Sequence, residues 1–158
     1  MRVLDIIEGT VVDGVGLRTS IYFAGCTHHC PQCHNPQSWD ASGGREMSVD
    51  EIMAHVTEYD LNVTFSGGDP LLQIDNGLLE LAGRIRALGK TIWCYTGYTL
   101  EEIEADEKLS PILDAVDVMV EGRFIEALRN IHLSFRGSSN QRIIDAKTRQ
   151  EINLDTQL

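Results

Sequence analysis

Three cysteines crowded into one short stretch restrict what this chain can fold around. Cys26, Cys30 and Cys33 are spaced C-x3-C-x2-C in the sequence GCTHHCPQCHNPQSW, whereas the fourth cysteine, Cys94, is far away along the chain. Such close spacing does not suit disulfides, but it suits ligands that wrap around a small inorganic centre. A cubane iron–sulfur cluster needs four ligands to close all its irons, so three thiolates leave one iron open. The stretch therefore predicts a metal centre with a free coordination position.

A zinc site is the alternative that this spacing allows. The same stretch carries three histidines, which are His28, His29 and His34. Thiolate and imidazole together form tetrahedral Cys3His zinc sites, so spacing alone does not separate the two metals. Zinc ribbons usually add a second Cys or His pair from a distant loop, and downstream of His55 only Cys94 and His132 remain, each standing singly. This shortage favours an iron–sulfur cluster and leaves zinc as the second interpretation.

Length, charge and hydropathy set the class of protein. A chain of 158 residues with 42% hydrophobic content predicts a single domain over residues 1–158, too short for a complete eight-stranded βα barrel. With 13 basic and 24 acidic residues, the net charge of −11 argues against a nucleic-acid partner, because phosphate binding needs Lys and Arg. The sequence has no bilayer-length apolar run and no signal-peptide pattern, so we expect a cytoplasmic protein without a membrane partner.

Alternating strand-like and helix-like segments predict an α/β fold with right-handed crossovers. The expected strands are residues 18–25, 62–66, 90–96 and 117–120, with residues 2–8 as an edge strand or an extended arm and further candidates at 132–135 and 142–145. Helices are expected after the capping boxes Ser48-x-x-Glu51 and Thr99-x-x-Glu102, along the apolar stripe at 78–88, and from Pro111. These elements predict a partial, open βα barrel with a mostly parallel sheet and the helices outside.

The chemically suggestive stretches all follow predicted strands. The cysteine stretch follows residues 18–25, the turn Gly67-Gly68-Asp69-Pro70 follows residues 62–66, and Thr96-Gly97-Tyr98 ends the next strand. Ligands of α/β sheets bind at the carboxyl ends of the strands, so we expect these three stretches to meet at one edge. By itself the glycine turn is more typical of an ordinary strand-to-loop connection.

Together the motifs resemble those of the radical S-adenosylmethionine enzymes. The C-x3-C-x2-C loop at a strand end is similar to theirs, and GCTHHCPQCHNPQSW resembles the form found in activating enzymes of glycyl radical enzymes. The resemblance continues through FSGGDPL, IWCYTGYTLEEI, VDVMVEGRF and FRGSSNQRIID, and so spans nearly the whole chain. These stretches are similar to the family that activates anaerobic ribonucleoside-triphosphate reductase. The RGSSNQ element distinguishes that family from the longer pyruvate formate-lyase activating enzymes.

The resemblance implies an activity and its partners. Cys26, Cys30 and Cys33 would hold a [4Fe-4S] cluster and act in catalysis through it, with the open iron chelating S-adenosyl-L-methionine. Reductive cleavage of that cofactor would give a 5′-deoxyadenosyl radical, which takes hydrogen from a glycine Cα on the large subunit of the reductase. A flavodoxin is the implied electron donor. Activation of another glycyl radical enzyme, such as pyruvate formate-lyase, is the alternative within this class, and a zinc-binding interaction module is the alternative outside it.

The resemblance also implies which residues contact S-adenosylmethionine. The implied cofactor-binding residues are Gln32, Cys33, His34, Gly67, Gly68 and Asp69. His34 stands where relatives carry an aromatic residue or His, and Asp69 stands at a position of the glycine turn where many relatives carry Glu. For the turn Ser138–Gln141 there are two interpretations, a capped turn and a docking element for the reductase.

Overall fold

The computed structural model describes residues 1–26, 40 and 42–154. Within that part of the chain, seven strands form one sheet in the order β3-β1-β2-β4-β5-β6-β7. The strands are β1 (Arg2–Thr10), β2 (Arg18–Phe23), β3 (Arg45–Glu46), β4 (Asn62–Gly67), β5 (Ile92–Thr96), β6 (Val118–Glu121) and β7 (Arg142–Asp145). β2, β4, β5 and β6 are parallel to one another, whereas β1, β3 and β7 join antiparallel. The expected α/β class is confirmed. The sheet is mixed, so a mostly parallel arrangement holds only for its centre.

The described part of the chain has four helices, of which the first and third begin at the predicted capping boxes and the second begins after Gly77, which provides no side-chain cap. They are α1 (Val49–Tyr59), α2 (Leu78–Ala87), α3 (Leu100–Ala105) and α4 (Ile112–Ala115), with 3-10 turns at Pro70–Asn76 and Glu126–Leu128. Both capping boxes form: the Ser48 hydroxyl accepts from the Glu51 N–H at 3.1 Å, and the Thr99 hydroxyl accepts from the Glu102 N–H at 3.2 Å. None of the helices in the described part of the chain has the length and apolar content that crossing a bilayer requires.

Alternation of side chains along the strands gives the sheet two different faces. One face packs on the helices and forms the main hydrophobic core, where the rings of Phe23 and Phe65 meet edge to face at 5.8 Å. The intervening residues point the other way, because successive strand side chains alternate between faces. We call that side the second face, and its residues on β2, β4 and β5 are Ser20, Tyr22, Thr64, Ser66, Trp93 and Tyr95. A smaller apolar cluster of Trp93, Val120 and Ile143 lies on it.

Arg18 ties together the amino ends of the parallel strands. Its side chain is buried, at 2% exposed, and its guanidinium donates to the carbonyl oxygens of Val63 at 2.7 Å and Thr91 at 3.1 Å. It also lies over the Trp93 ring, 5.7 Å from the centroid. Burial lowers the pKa of Arg18 to about 10, so the group stays protonated at neutral pH. A buried cation therefore holds the edge of the sheet opposite to the strand ends that lead into the cysteine stretch.

Two short segments differ from the sequence-based expectation. Residues 132–135 form turns and bends, so the prediction of a strand there is wrong. Phe135 has a left-handed φ of 61°, and its ring packs edge-on against Trp93 at 5.4 Å. The strand β3 was not predicted, because both of its residues are exposed and carry no apolar signal; it forms by pairing with Arg2 and Val3.

Replacement of the buried cation tests its contribution to stability. Arg18→Ala is expected to lower the free energy of unfolding by about 3 kcal/mol, because buried carbonyl oxygens lose a charged donor. Urea unfolding followed by tryptophan fluorescence measures the change. Arg84→Ala is the matched control, since Arg84 forms an exposed ion pair with Asp50 at 2.6 Å; its loss is expected to cost less than about 1 kcal/mol. Equal losses in both variants would contradict a special role for Arg18.

Candidate metal and cofactor site

The cysteine stretch leaves the sheet at the carboxyl end of β2. Ala24 and Gly25 continue from the strand, and Cys26 follows them, partly exposed. Cys30 and Cys33 lie outside the described residues, and so do Gln32 and His34. Their assignment as cluster ligands and cofactor contacts therefore stays a prediction. The structure does define the position from which the stretch starts, next to the end of β4.

The glycine turn after β4 is hydrogen-bonded to the root of the cysteine stretch. The Gly68 N–H donates to the Phe23 carbonyl oxygen at 2.9 Å, and the Asp69 N–H donates to the Gly25 carbonyl oxygen at 2.7 Å. Both bonds use backbone groups, so they depend on the path of the chain more than on the side chains that it carries. Two motifs that are distant in sequence are thus joined one residue before Cys26.

Gly67 permits this close approach. Its φ is 103°, a conformation that residues with a side chain rarely adopt, and an added Cβ would lie 2.4 Å from the backbone N and O of Phe23. Backbone atoms cannot give way as a flexible side chain can, so only glycine fits here. The side-chain amide of Gln73 adds a further link by donating to the Ala24 carbonyl oxygen at 3.2 Å.

The Asp69 carboxylate connects the glycine turn to the end of β5. Asp69 is 1% exposed, and its carboxylate accepts from the Leu71 N–H at 3.0 Å. The Thr96 hydroxyl donates to Oδ2 at 2.9 Å, and the Gly97 N–H donates to the same oxygen at 3.0 Å. Burying a carboxylate is costly unless donors surround it, and these three donors provide that compensation. The three stretches expected at one edge are therefore brought together, as far as the described residues reach.

Cys94 lies on the core side of this arrangement. It is fully buried in β5, and its thiol has only a weak contact, at 3.9 Å, with the carbonyl oxygen of Tyr95. Burial raises the pKa of the Cys94 thiol well above its ordinary value, and the nearby charge of Asp69 adds to the effect. A neutral buried thiol behaves as a small apolar side chain, as its apolar sequence context predicted.

Two tyrosines on the second face were not identified by the motifs. Tyr22 donates to the carboxylate of Asp13, and its pKa is raised by burial and by that carboxylate. The Tyr95 hydroxyl is buried and has no hydrogen-bond partner among the described residues, and burial raises its pKa as well. Both hydroxyls are therefore protonated at neutral pH. The alternation in SIYF and IWCYT indicates them, because every second residue there faces away from the helices.

The donor chemistry at this edge fits an iron–sulfur cluster. Cys26 places a sulfur ligand at an accessible strand end, and thiolates are the ligands that such clusters take from proteins. In residues 1–26, 40 and 42–154, no group of three His, Cys, Asp or Glu side chains is arranged to hold a metal ion.

Comparison with known proteins agrees with this chemistry. A family model described as a 4Fe-4S single cluster domain matches residues 12–144. The anaerobic ribonucleoside-triphosphate reductase-activating protein of Escherichia coli K12 is 36% identical over 140 residues, covering 83% of this chain and 90% of its own. The protein of the same name from Haemophilus influenzae Rd is 34% identical over 152 residues, covering 89% and 96%. That from Enterobacteria phage T4 is 34% identical over 139 residues, covering 84% and 86%.

Among solved structures, QueE from Escherichia coli matches with a TM-score of 0.52 over 75% of this chain and 68% of its own. The two sequences are 16% identical, so this likeness shows a shared fold alone. The family model and the relatives, in contrast, match most of the chain at the level of sequence. The chain belongs to the family of anaerobic ribonucleoside-triphosphate reductase-activating proteins and contains a 4Fe-4S single cluster domain.

Proposed function

We propose that this protein activates anaerobic ribonucleoside-triphosphate reductase by generating a glycyl radical on it. Membership of the activating-protein family supports the reaction, and one structural observation supports the location of the site. The turn at Gly67–Asp69 is hydrogen-bonded to residues 23–25, immediately before Cys26. A cofactor held between the cysteine stretch and this turn would therefore be in contact with both motifs.

Cys26, Cys30 and Cys33 would hold the [4Fe-4S] cluster and leave one iron for S-adenosylmethionine. When bound, the cluster would supply the electron that cleaves the C–S bond of S-adenosylmethionine to give methionine and the 5′-deoxyadenosyl radical. The role of the protein is to hold three irons, to leave the fourth accessible, and to orient the cofactor beside it. Thiolates are suited to the first task, and a loop rooted at an accessible strand end is suited to the second.

The glycine turn would orient the amino-acid end of the cofactor through its backbone. The N–H groups of Gly68 and Asp69 already donate within the protein, and the Asp69 carboxylate already accepts from Leu71, Thr96 and Gly97. Carbonyl oxygens of the turn are the natural acceptors for the ammonium group of S-adenosylmethionine. Asp69 then acts as a positioning residue that holds the turn in place, whereas Gln32 and His34 would contact the cofactor from the cysteine stretch.

The reacting glycine would reach the cofactor over the second face. That face carries the hydroxyls of Tyr22 and Tyr95 near the carboxyl edge, and it would line the interior of a partial barrel that is open on one side. Such an opening admits a loop of a protein substrate, which a closed barrel would exclude. We further propose that residues 1–158 form one domain and that a flavodoxin supplies the electron.

Other functions have less support. The relatives are named for the reductase, so activation of pyruvate formate-lyase is not favoured. The matching family model describes a 4Fe-4S cluster, which favours iron over the alternative zinc module.

Two single cysteine variants, Cys30→Ala and Cys94→Ala, test the three-cysteine ligand set. In anaerobically reconstituted protein reduced with dithionite, Cys30→Ala is expected to abolish cleavage of S-adenosylmethionine, because the cluster loses a ligand. Cys94→Ala is expected to keep both cleavage and about four irons per chain, because Cys94 is a core residue. Iron, sulfide and zinc quantitation beside the cleavage assay measures both. Cleavage by Cys30→Ala, or loss of the cluster in Cys94→Ala, would refute the assignment.

The positioning role of Asp69 is tested by cofactor binding. Asp69→Ala leaves three buried donors without an acceptor, so the affinity for S-adenosylmethionine is expected to fall by about tenfold or more while the iron content is retained. Titration calorimetry under anoxia measures the affinity. Thr96→Val removes only one of the donors and is expected to have a smaller effect in the same direction.

Asp75→Ala is the control for that experiment, because Asp75 is exposed and pairs with Lys108 on the surface. Its affinity for the cofactor is expected to equal that of the wild type. Wild-type affinity in both Asp69→Ala and Thr96→Val would show that the turn is not held through this carboxylate.

A further inference from the structure

The segment at residues 125–132 is exposed throughout and yet carries large apolar side chains. Ile125 is 42% exposed, Leu128 is 41% exposed and Ile131 is 81% exposed. Every residue of the segment is classed with the exposed surface. Single exposed apolar residues are common on proteins, but three within seven positions of one loop need an explanation, and we call these three side chains the patch.

The patch is held in place by the turn at residues 137–141. The Ser139 N–H donates to the Leu128 carbonyl oxygen at 2.9 Å, and the Asn130 N–H donates to the Gly137 carbonyl oxygen at 3.2 Å. At the start of the segment, the Ile125 N–H donates to the hydroxyl of Ser138, at 3.2 Å. The apolar side chains are therefore presented by a braced loop.

The turn itself is occupied with internal contacts. Ser138 is fully buried, and its hydroxyl donates to Asn140 at 2.6 Å. The Gln141 side chain accepts from the Gly137 N–H at 2.9 Å and donates to the Gly122 carbonyl oxygen at 2.9 Å. These contacts match the interpretation as a capped turn. The turn supports the neighbouring segment, and the exposed side chains belong to that segment.

The patch lies on the side of the molecule where the cysteine stretch begins. β6 is parallel to β5 and ends at Glu121, and the Gly122 N–H donates to the Tyr98 carbonyl oxygen at 3.1 Å, just beyond the end of β5. Residues 125–132 therefore extend from the carboxyl edge that also carries Asp69. The other run of exposed apolar residues, at positions 11–17, joins β1 to β2 at the amino edge.

Charge also sets this region apart. Residues 122–142 contain four arginines and one acidic residue, Glu126, in a chain whose net charge is −11. Arg123 and Arg142 bind the glutamates of α3 and β6. Arg129 lies within the apolar segment itself, 3.7 Å from Glu126, with half of its side chain exposed. With Arg123, Arg129 and Arg142 each paired with a glutamate, the surface is apolar and close to neutral in a strongly acidic chain, and it complements an apolar partner surface.

We propose that residues 125–132 are the docking surface for the protein substrate, which contacts Ile125, Leu128 and Ile131 through an apolar surface of its own. This proposal rests on the proposed function, because a protein that delivers a glycine to the site must approach the carboxyl edge. Apolar side chains on a braced loop lose little conformational freedom on binding, so they suit such an anchor.

Binding and activation assays with surface variants test the docking surface. The double variant Leu128→Ser with Ile131→Ser is expected to raise the dissociation constant for purified anaerobic ribonucleoside-triphosphate reductase by about tenfold or more. The yield of the glycyl radical, measured by electron paramagnetic resonance at subsaturating protein, is expected to fall with it. Cleavage of S-adenosylmethionine in the absence of reductase is expected to stay at the wild-type rate, because both residues lie on the surface.

The matched control is Tyr59→Ser with Leu88→Ser, which removes exposed apolar side chains, 49% and 48% exposed, at the ends of α1 and α2 on the helix side of the sheet. It is expected to bind and activate the reductase as the wild type does. Wild-type affinity in the Leu128/Ile131 variant would overturn the docking proposal. Sedimentation gives a second outcome that would overturn it. If the wild type self-associates and the Leu128/Ile131 variant does not, while the variant keeps its affinity for the reductase, a second copy of the protein occupies the patch. A wild-type protein that forms no glycyl radical on the reductase would instead refute the proposed function.

Discussion

A single buried carboxylate organises the carboxyl edge of this sheet. Asp69 accepts hydrogen bonds from Leu71 on its own turn and from Thr96 and Gly97 at the end of β5. Inside a protein, such bonds are stronger than in water, and an unpaired charge would be costly, so the carboxylate and its donors stabilise one another. The N–H of the same residue bonds to Gly25, just before the cysteine stretch. The ends of three strands therefore have one common anchor.

The two edges of the sheet are built on different physical principles. At the amino edge, a buried cation is surrounded by carbonyl oxygens and an aromatic ring, through Arg18 and Trp93. At the carboxyl edge, a buried anion is surrounded by amide and hydroxyl donors. Each edge compensates its own charge locally, so neither depends on a long-range ion pair. The core of apolar side chains between them, including Phe23 and Phe65, connects the two edges mechanically.

Much of this arrangement could be predicted from the sequence, because its signals are local. Capping boxes placed the starts of α1 and α3, and the position of the glycine turn and of the cysteine stretch after strands predicted that the two would meet at one edge. The contacts of Asp69 with Thr96 could not be predicted, since they join residues far apart in the chain. Residues 132–135 have strand-like alternation, yet they form no strand, because Phe135 adopts a left-handed conformation and packs on Trp93. The second face was signalled by alternation, but its tyrosines belong to no motif.

The tight closure of the amino edge around Arg18 has a consequence for how such a domain can diversify. Because that edge and the core hold the strands in register, the exposed residues 125–132 after β6 can change in composition with little loss of folding stability, whereas the segments after β2 and β4 are tied together through Asp69. A new partner can then arise by altering that exposed segment alone. The domain can therefore acquire a new binding partner at its carboxyl edge while the amino edge keeps the fold stable.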